Sequence, residues 1–356
     1  MRIFDIIAPC HFGLEAVLKR EIIDLGYDIK CVEDGKVTFI GDAEAVCRAN
    51  IGLRTAERVL IKLGEFKAET YEELFQGVKA LDLDEFIPED GKFWVTKASS
   101  VKSKLFSPSD IQSIVKKAMV ESLKGKYNID WFKEDGNDYP VRVTIHKAPL
   151  SETLAAALIQ LTPWNKDRIL VDPFCGCGTI PIEAAMMGCN IAPGMNREFT
   201  AEQWTNFIPK RLWTDAVDEA RDMIDMNVDM DIQGYDIDGK MVQAARENAK
   251  LAGVDHLIHF QEREVSALSH PKKYGFIITN PPYGERLEEK SELPGLYTTI
   301  GERFKALDDW SAYIITSYED AEKYIGRKAD KNRKIYNGMI KTYFYQFAGP
   351  KPPKRR

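Results

Sequence analysis

The stretch VDPFCGCGTIPIEAA (residues 171–185) constrains the fold of this chain more tightly than any other. Ile169, Leu170 and Val171 read as a buried strand, two glycines follow as a turn, and a helix opens at Ile180. An acid at a strand end followed by glycines makes a place where backbone can approach a ligand with no Cβ in the way. The main-chain N–H groups of such a turn and helix start form an electropositive cradle. A second stretch, IITNPPYGER (residues 277–286), is again a strand running into a polar turn. Two strand ends carrying polar groups, within alternating α/β segments, belong on one edge of one sheet. That edge is where open α/β folds bind ligands.

At 356 residues the chain is too long for one ordinary domain, and two or three are expected. With 44% hydrophobic and 29% charged residues, its composition is that of a globular protein in water. MRIFD lacks the apolar region of a signal peptide, and no apolar run approaches the ~18 residues of a membrane span. A cytoplasmic protein with no membrane partner is expected. The six cysteines are scattered; only Cys175 and Cys177 are close, and no second pair stands at zinc-site spacing. Reduced thiols and no metal follow. The net charge of −6 argues against a surface coated in nucleic-acid-binding charge, yet leaves room for one basic face.

In chain order, residues 2–8 alternate like a strand, and Gly13 to Gly26 is an amphipathic helix with Leu14, Val17, Leu18, Ile22 and Leu25 on one stripe. Strands around Asp28–Val32 and Val37–Ile40 and a helix from Asp42 complete a small α+β unit. A second unit opens with a strand near Arg58–Gly64 and a helix from Thr70 to Ala80. The window from Lys92 to Lys147 holds eleven Lys/Arg against six Asp/Glu, a local balance of +5 in an acidic chain. It reads as a strand (KFWVTKASS), then a helix capped by Ser107 or Ser109, with Lys116 and Lys117 off its apolar stripe. Lys97, Lys102, Lys104, Lys116 and Lys117 form a candidate face for a phosphate backbone, against the plainer reading of a solvated surface. APLSETLAAALIQLTPW predicts a helix ending at Pro163. Residues 192–231 predict a largely helical insertion, because a minimal α/β repeat would pass directly to its next strand. IQGYDID, LIHFQEREV, FIITNPPY and SAYIITS are further strands, and RKIYNGMIKTYFYQF is a hairpin turning at Asn337-Gly338.

Gly176-Cys177-Gly178-Thr179 is no P-loop, since no Gly-Lys-Ser/Thr follows. It is also an incomplete dinucleotide fingerprint, because Pro181 stands where a third glycine belongs, and Asp236 lies 58 residues after Gly178 instead of about 20. Asp236, ending the next strand, still suits ribose hydroxyls. Asp172 ahead of the glycines suits a cation better than a pyrophosphate, and a cation bearing adenosine is S-adenosylmethionine. In Asn280-Pro281-Pro282-Tyr283, proline holds the preceding residue extended. The carbonyls of Asn280 and Pro281 then point in fixed directions, and neither proline offers an N–H. Such an acceptor-rich site suits a planar exocyclic amine, with Tyr283 as a face on which the base can stack.

With LRTAERV, KSKLFSPSDIQSIVKKA, APLSETLAAAL, DPFCGCGTIPIEAA, IAPG, GYDID, NPPYGER and NRKIYNGMIK, the chain resembles the bacterial THUMP-domain RNA methyltransferases along nearly its whole length. It is similar above all to those that methylate guanine N2 in large-subunit ribosomal RNA. The resemblance implies an α/β protein: a ferredoxin-like unit (1–55), a THUMP RNA-binding domain (56–147) and a Rossmann-like methyltransferase domain (148–350). The last would carry a seven-stranded sheet with an antiparallel hairpin at its edge. The resemblance further implies that Asp172, Gly176 and Gly178 hold the methionine part of S-adenosylmethionine and Asp236 its ribose. Phe174, Cys175, Thr179, Ile237, Glu264 and Val265 would complete the cofactor site, and Asn280, Pro281, Pro282 and Tyr283 would hold the target base in ribosomal RNA. Three departures stand out. Cys177 replaces a frequent serine, and Glu264 a usual aspartate near the adenine. HKAPL joins directly what relatives separate by a strand and an Arg-Gly-Tyr-Arg segment. Two other readings share the motifs: an adenine-N6 methyltransferase on RNA or DNA, and a degenerate, purely RNA-binding protein.

Overall fold

The computed structural model describes residues 2–100, 105, 107–145, 153–283, 287–337 and 340–353. The chain divides into two compact units. The first comprises Met1–Pro9, Lys19–Pro149 and Gly194–Glu219, and the second Cys10–Leu18, Leu150–Pro193 and Ala220–Arg356.

In the first unit, strand β1 (Phe4–Pro9) buries Phe4, Ile6 and Ala8 and turns the intervening residues outward, the period-2 pattern of a half-buried strand. Helix α1 (Glu15–Asp24), of which the first unit takes the part from Lys19 onward, leads to the hairpin β2 (Asp28–Glu33) and β3 (Lys36–Gly41), then to α2 (Ala43–Gly52). Asp42 caps α2 by accepting the Ala45 N–H at 3.1 Å. The strand expected near Arg58–Gly64 contracts to β4 (Leu60–Ile61). It pairs with β1, giving an antiparallel sheet ordered β2-β3-β1-β4. Helix α3 (Tyr71–Lys79) opens on a Thr70/Glu73 capping box. Strand β5 (Lys92–Ser100) runs parallel to β6 (Asp138–Ile145), with helix α4 (Pro108–Tyr127) between them in sequence. Ser107, not Ser109, caps α4, and Asn128 ends it in the left-handed region. Ile111, Val115, Ala118 and Leu123 of α4 pack with Phe93 and Tyr139 of the two strands, while Ile114 stays half-buried.

The expected insertion is only partly helical, and most of it belongs to the first unit. It holds a short 3-10 turn (Thr200–Gln203) and helix α7 (Lys210–Asp222). Trp204 stacks on Tyr139 with centroids 6.0 Å apart, and its indole N–H donates to the Asp138 carbonyl at 2.8 Å. Asn206 takes the Tyr139 hydroxyl at 3.0 Å, and Glu219 grips the Arg48 guanidinium through both oxygens at 2.6 and 2.7 Å. Gly194 donates to the Ile51 carbonyl at 2.9 Å, so close that an added Cβ would stand 2.3 Å from the Asn50 oxygen.

In the second unit, helix α5 (Leu154–Gln160) precedes β7 (Leu170–Asp172). It stops short of the expected Pro163. Thr162 cannot easily remain helical before proline, and its hydroxyl donates to the Ile159 carbonyl instead. The expected start of α5 and the direct HKAPL junction lie outside the described residues. Next come α6 (Thr179–Gly188), β8 (Ile232–Asp236), α8 (Gly239–Leu251), β9 (Ile258–Glu262) and β10 (Phe276–Thr279). α9 (Leu287–Ala306), β11 (Ser311–Thr316), α10 (Ala321–Ile325), β12 (Lys331–Asn337) and β13 (Ile340–Phe347) complete it. The seven-stranded sheet runs β12-β13-β11-β10-β7-β8-β9, parallel except for the C-terminal hairpin, whose expected Gly338 turn lies outside the described residues. Adjacent residues alternate between two cores. Leu170, Ile278 and Ile315 face one with α6 and α8, whereas Val171, Ile277 and Ile314 face the other with α9 and α10. Both faces are covered, hence the near-continuous apolar strands. Among the described residues, no helix is long and apolar enough to cross a membrane.

If close contact keys Gly194 to α2, Gly194→Ala should destabilise the protein by about 1–3 kcal/mol through overpacking against backbone. A urea titration followed by circular dichroism measures this.

Candidate active site

β7 lies between β8 and β10, where the strand order reverses, and pairs in parallel with β10. The carboxyl ends of these strands are therefore a topological switch point, where ligands bind in open α/β sheets. β7 ends in Asp172, which is 1% exposed. Its Oδ1 accepts the Thr279 hydroxyl at 2.6 Å and the Phe174 N–H at 3.1 Å. Burial pushes the carboxyl up to about 7, the Asp236 charge adds to the rise, and the two hydrogen bonds oppose it. A desolvated acid of this kind gains most from a cationic partner.

The turn after β7 places Gly176 at φ +52° with nothing within 4 Å of where a Cβ would be. Gly178, at φ +89°, sits so close to Ala245 and Phe260 that a Cβ would meet both at 3.0 Å. α6 starts from Gly178 with no side-chain cap. The first-turn N–H groups keep their capacity to bind an anionic group. Asp236 is tied to this turn: its Oδ2 accepts the Gly176 N–H at 3.0 Å and its Oδ1 the Asp238 N–H at 2.9 Å. Each oxygen retains a second lone pair, as two ribose hydroxyls require. Ile237 beside it is 71% exposed, an apolar surface on the same edge. Glu264 is exposed two residues beyond β9, whereas Val265 is buried in the core with Tyr235 and Ile277. Phe174 is half-buried and Thr179 exposed. Cys175 is buried, and burial with the charges of Asp172 and Asp236 pushes its thiol up. These features fit S-adenosylmethionine: a buried acid for its cationic end, an open glycine turn, acceptors for ribose and an exposed apolar side chain.

After β10, Asn280 is exposed, Pro281 buried, Pro282 exposed and Tyr283 half-buried, while Gly284 to Arg286 lie outside the described residues. Tyr283 is near enough to Tyr297 of α9 for their hydroxyls to interact electrostatically. Tyr297 is fully buried, hydrogen-bonded to Thr316 at 2.6 Å and packed on Tyr318 with centroids 5.0 Å apart. The structure thus brings together Asp172, Phe174, Gly176 and Asp236, and joins them through Thr279 to Asn280. Sequence reading missed Thr279. The signal was a hydroxyl at the end of the apolar run FIIT, where burial obliges it to find an acceptor.

The lysines lie in the first unit. Lys116 does not project freely: its ammonium donates to the Phe93 carbonyl, pairs with Glu134 at 2.8 Å and sits 3.7 Å over the Phe93 ring. Lys117 lies 5.8 Å from the Phe75 ring centroid. Lys102 and Lys104 lie outside the described residues, and of Lys97 only the backbone is described, paired in register with Arg142 of β6. Arg142 is half-buried, and burial together with nearby Arg58 pulls its guanidinium below its ordinary value. Among the described residues, no group of three or more His, Cys, Asp or Glu is arranged to hold a metal ion.

A family model for the RMKL-like methyltransferase domain matches residues 140–346. The chain belongs to the RMKL-like methyltransferases. Models for the RlmL ferredoxin-like domain and the THUMP domain match residues 5–60 and 68–149. YpsC of Bacillus subtilis (strain 168), provisionally named an RNA methyltransferase, is 46% identical over an alignment covering all of this chain and 99% of that protein. The ribosomal RNA large subunit methyltransferase K/L of Aliivibrio salmonicida is 32% identical over 92% of this chain, which spans only 51% of that relative. Two solved structures share the whole fold. SMU.472, provisionally named a methyltransferase and complexed with S-adenosylhomocysteine, is 39% identical with a TM-score of 0.93, covering 99% of this chain and 100% of its own. A predicted N6-adenine-specific DNA methylase from Listeria monocytogenes is 42% identical with a TM-score of 0.91, covering 98% and 97%.

The state of Asp172 has a measurable consequence for this family member. Its carboxyl titrates higher folded than the ordinary 3.8 it has unfolded. Below about 4 both states hold the proton; between about 4 and 7 only the folded state does, so stability falls as pH rises; above 7 the full penalty is present. Asp172→Asn, neutral at every pH, should therefore stabilise the ligand-free protein by on the order of a few kcal/mol at pH 8 and little at pH 4. Thermal melts across that range check it.

Proposed function

We propose that this chain transfers a methyl group from S-adenosylmethionine to the exocyclic N2 amine of a guanine in large-subunit ribosomal RNA. The observation that carries the reading is the meeting of two turns at parallel-paired strand ends: the acid-and-glycine turn after β7, and Asn280-Pro281-Pro282-Tyr283 after β10. The names of the Bacillus and Aliivibrio relatives support RNA, and ribosomal RNA, as the substrate, and the S-adenosylhomocysteine of a solved relative supports the cofactor. Residues 1–55 and 56–147 capture structured RNA and residues 148–350 methylate it, in a cytoplasmic protein.

When bound, S-adenosylmethionine supplies a methyl group activated on a sulfonium. Asp172, Gly176 and Gly178 hold its methionine part and Asp236 its ribose, with Phe174, Cys175, Thr179, Ile237, Glu264 and Val265 completing the pocket. The target amine is a poor nucleophile because its lone pair is delocalised into the ring. The Asn280 side-chain oxygen and the Pro281 carbonyl accept its two N–H groups, orient it and favour pyramidalisation. Catalysis then rests on positioning and electrostatics. Tyr283 stacks on the base once it has left its own stack. No metal ion enters the proposed reaction. Methylation of adenine N6 would use the same acceptors, and the description of the Listeria relative favours it.

Asn280→Ala should leave the protein folded and able to bind RNA while lowering single-turnover methyl transfer about 10²–10³-fold, the scale seen when one preorganised transition-state hydrogen bond is removed. Tyr283→Phe should keep much of the activity, since stacking needs only the ring. Nucleoside analysis of the product separates N2-methylguanine from N6-methyladenine. Normal turnover in Asn280→Ala would remove the motif from the chemistry.

RNA affinity should reside in Lys97, Lys102, Lys104 and Lys117, with Arg142 joining them. Lys116 should contribute less to it, because its charge is already engaged. Replacing Lys102, Lys104, Lys117 and Arg142 by neutral residues should lower the salt slope of RNA binding by about 0.7–0.9 for each phosphate that is no longer neutralised. Filter binding at several salt concentrations measures the slope, and cofactor affinity should not move.

A further inference from the structure

The 2.6 Å hydrogen bond from Thr279 to Asp172 joins the cofactor turn to the strand that delivers Asn280, and both residues are 1% exposed. We propose that Thr279 is a positioning residue: its hydroxyl holds the Asp172 carboxylate ionised and aimed at the cofactor. Cofactor capture and the base-holding turn then share one buried contact. The proposal rests on the cofactor reading above and extends it to a residue outside both motifs.

A buried carboxylate keeps its charge only where donors replace the lost water. Asp172 has two such donors at Oδ1, the Thr279 hydroxyl and the Phe174 N–H. The Phe174 contact is longer and comes from a neutral amide two residues along the chain. The hydroxyl, at 2.6 Å, has the short geometry of an O–H bonded to an anion. Among the described residues, the other ionisable groups that bear on Asp172 do not help. Asp236 of β8 is a second carboxylate whose charge opposes ionisation of the first. The Cys175 thiol beside them is held neutral by burial. Among the described residues, Thr279 is therefore the side chain that favours the charged form. The backbone that carries this hydroxyl is fixed, because its strand is buried throughout and pairs on both sides, with β7 and with β11.

The test compares Thr279→Val, Thr279→Ala and Thr279→Ser with the wild type in two measurements. The first is the titration of the Asp172 carboxyl in the ligand-free protein, followed by carbon NMR and assigned with Asp172→Asn. Loss of one hydrogen bond to a charged acceptor should move the midpoint upward by about one to two pH units in the Val and Ala variants, and leave Ser near the wild type. The second is calorimetric affinity for S-adenosylmethionine from pH 6 to pH 10. The Val and Ala variants should bind about tenfold or more weakly near pH 7 and converge on the wild type towards pH 10, where Asp172 is ionised in all of them. If Val fails to fold, Ala carries the comparison. An unmoved titration, or affinity weakened by one constant factor at every pH, would overturn the proposal. Wild-type binding that ignores pH would overturn it too while leaving the cofactor reading intact. A wild type that binds no S-adenosylmethionine at any pH would overturn that reading and this proposal together.

Discussion

Asp172 is a carboxylate in a place that water does not reach, and the arrangement of the second unit follows from keeping it there. It is satisfied by one hydroxyl from the neighbouring strand and one N–H from its own turn. That requires β10 beside β7 in parallel, so that Thr279 stands across from the end of β7. It requires the chain after Asp172 to fold back sharply, which glycine at positive φ allows at positions 176 and 178. The same turn presents the Gly176 N–H to Asp236 of β8, which accepts it at 3.0 Å. A desolvated acid held ready for a cation is a familiar compromise between stability and function.

The two strand ends divide the chemistry between them. The β7 side is built from backbone donors and acids, the groups that a positively charged nucleoside-bearing ligand needs. The β10 side is built from acceptors with the proline N–H groups removed, the groups that a planar amine needs. Behind it, Tyr297, Thr316 and Tyr318 form a packed and hydrogen-bonded wall.

The first unit shows how a segment can be recruited across the chain. Gly194–Glu219 leaves the second unit's sequence between α6 and β8 and is packed into the first unit by stacking, indole and carboxamide hydrogen bonds, and the paired Arg48–Glu219 contact. A front half that needs residues from beyond position 190 for its own packing cannot be read as a separable module of residues 1–149.

The glycine turn, the acid before it and the Asn-Pro-Pro-Tyr turn were legible in the sequence because each is a local backbone demand: positive φ, a restricted residue before proline, a missing N–H. Strand and helix identities followed from period, and the sheet's hairpin edge and the family followed from motif order. Other features could not be read that way, because they depend on contacts between residues far apart in the chain. Thr279 meets Asp172 across 107 positions, and only strand order makes them neighbours. Lys116 looks like a free cation along its helix, yet folds onto Phe93 and Glu134. Leu60 and Ile61 pair with β1 rather than opening a new sheet, and the 194–219 segment belongs to the first unit although its chain neighbours belong to the second. Local propensity is a property of a few consecutive residues, whereas the cost of burying a polar group is settled by whichever partner the tertiary fold brings to it.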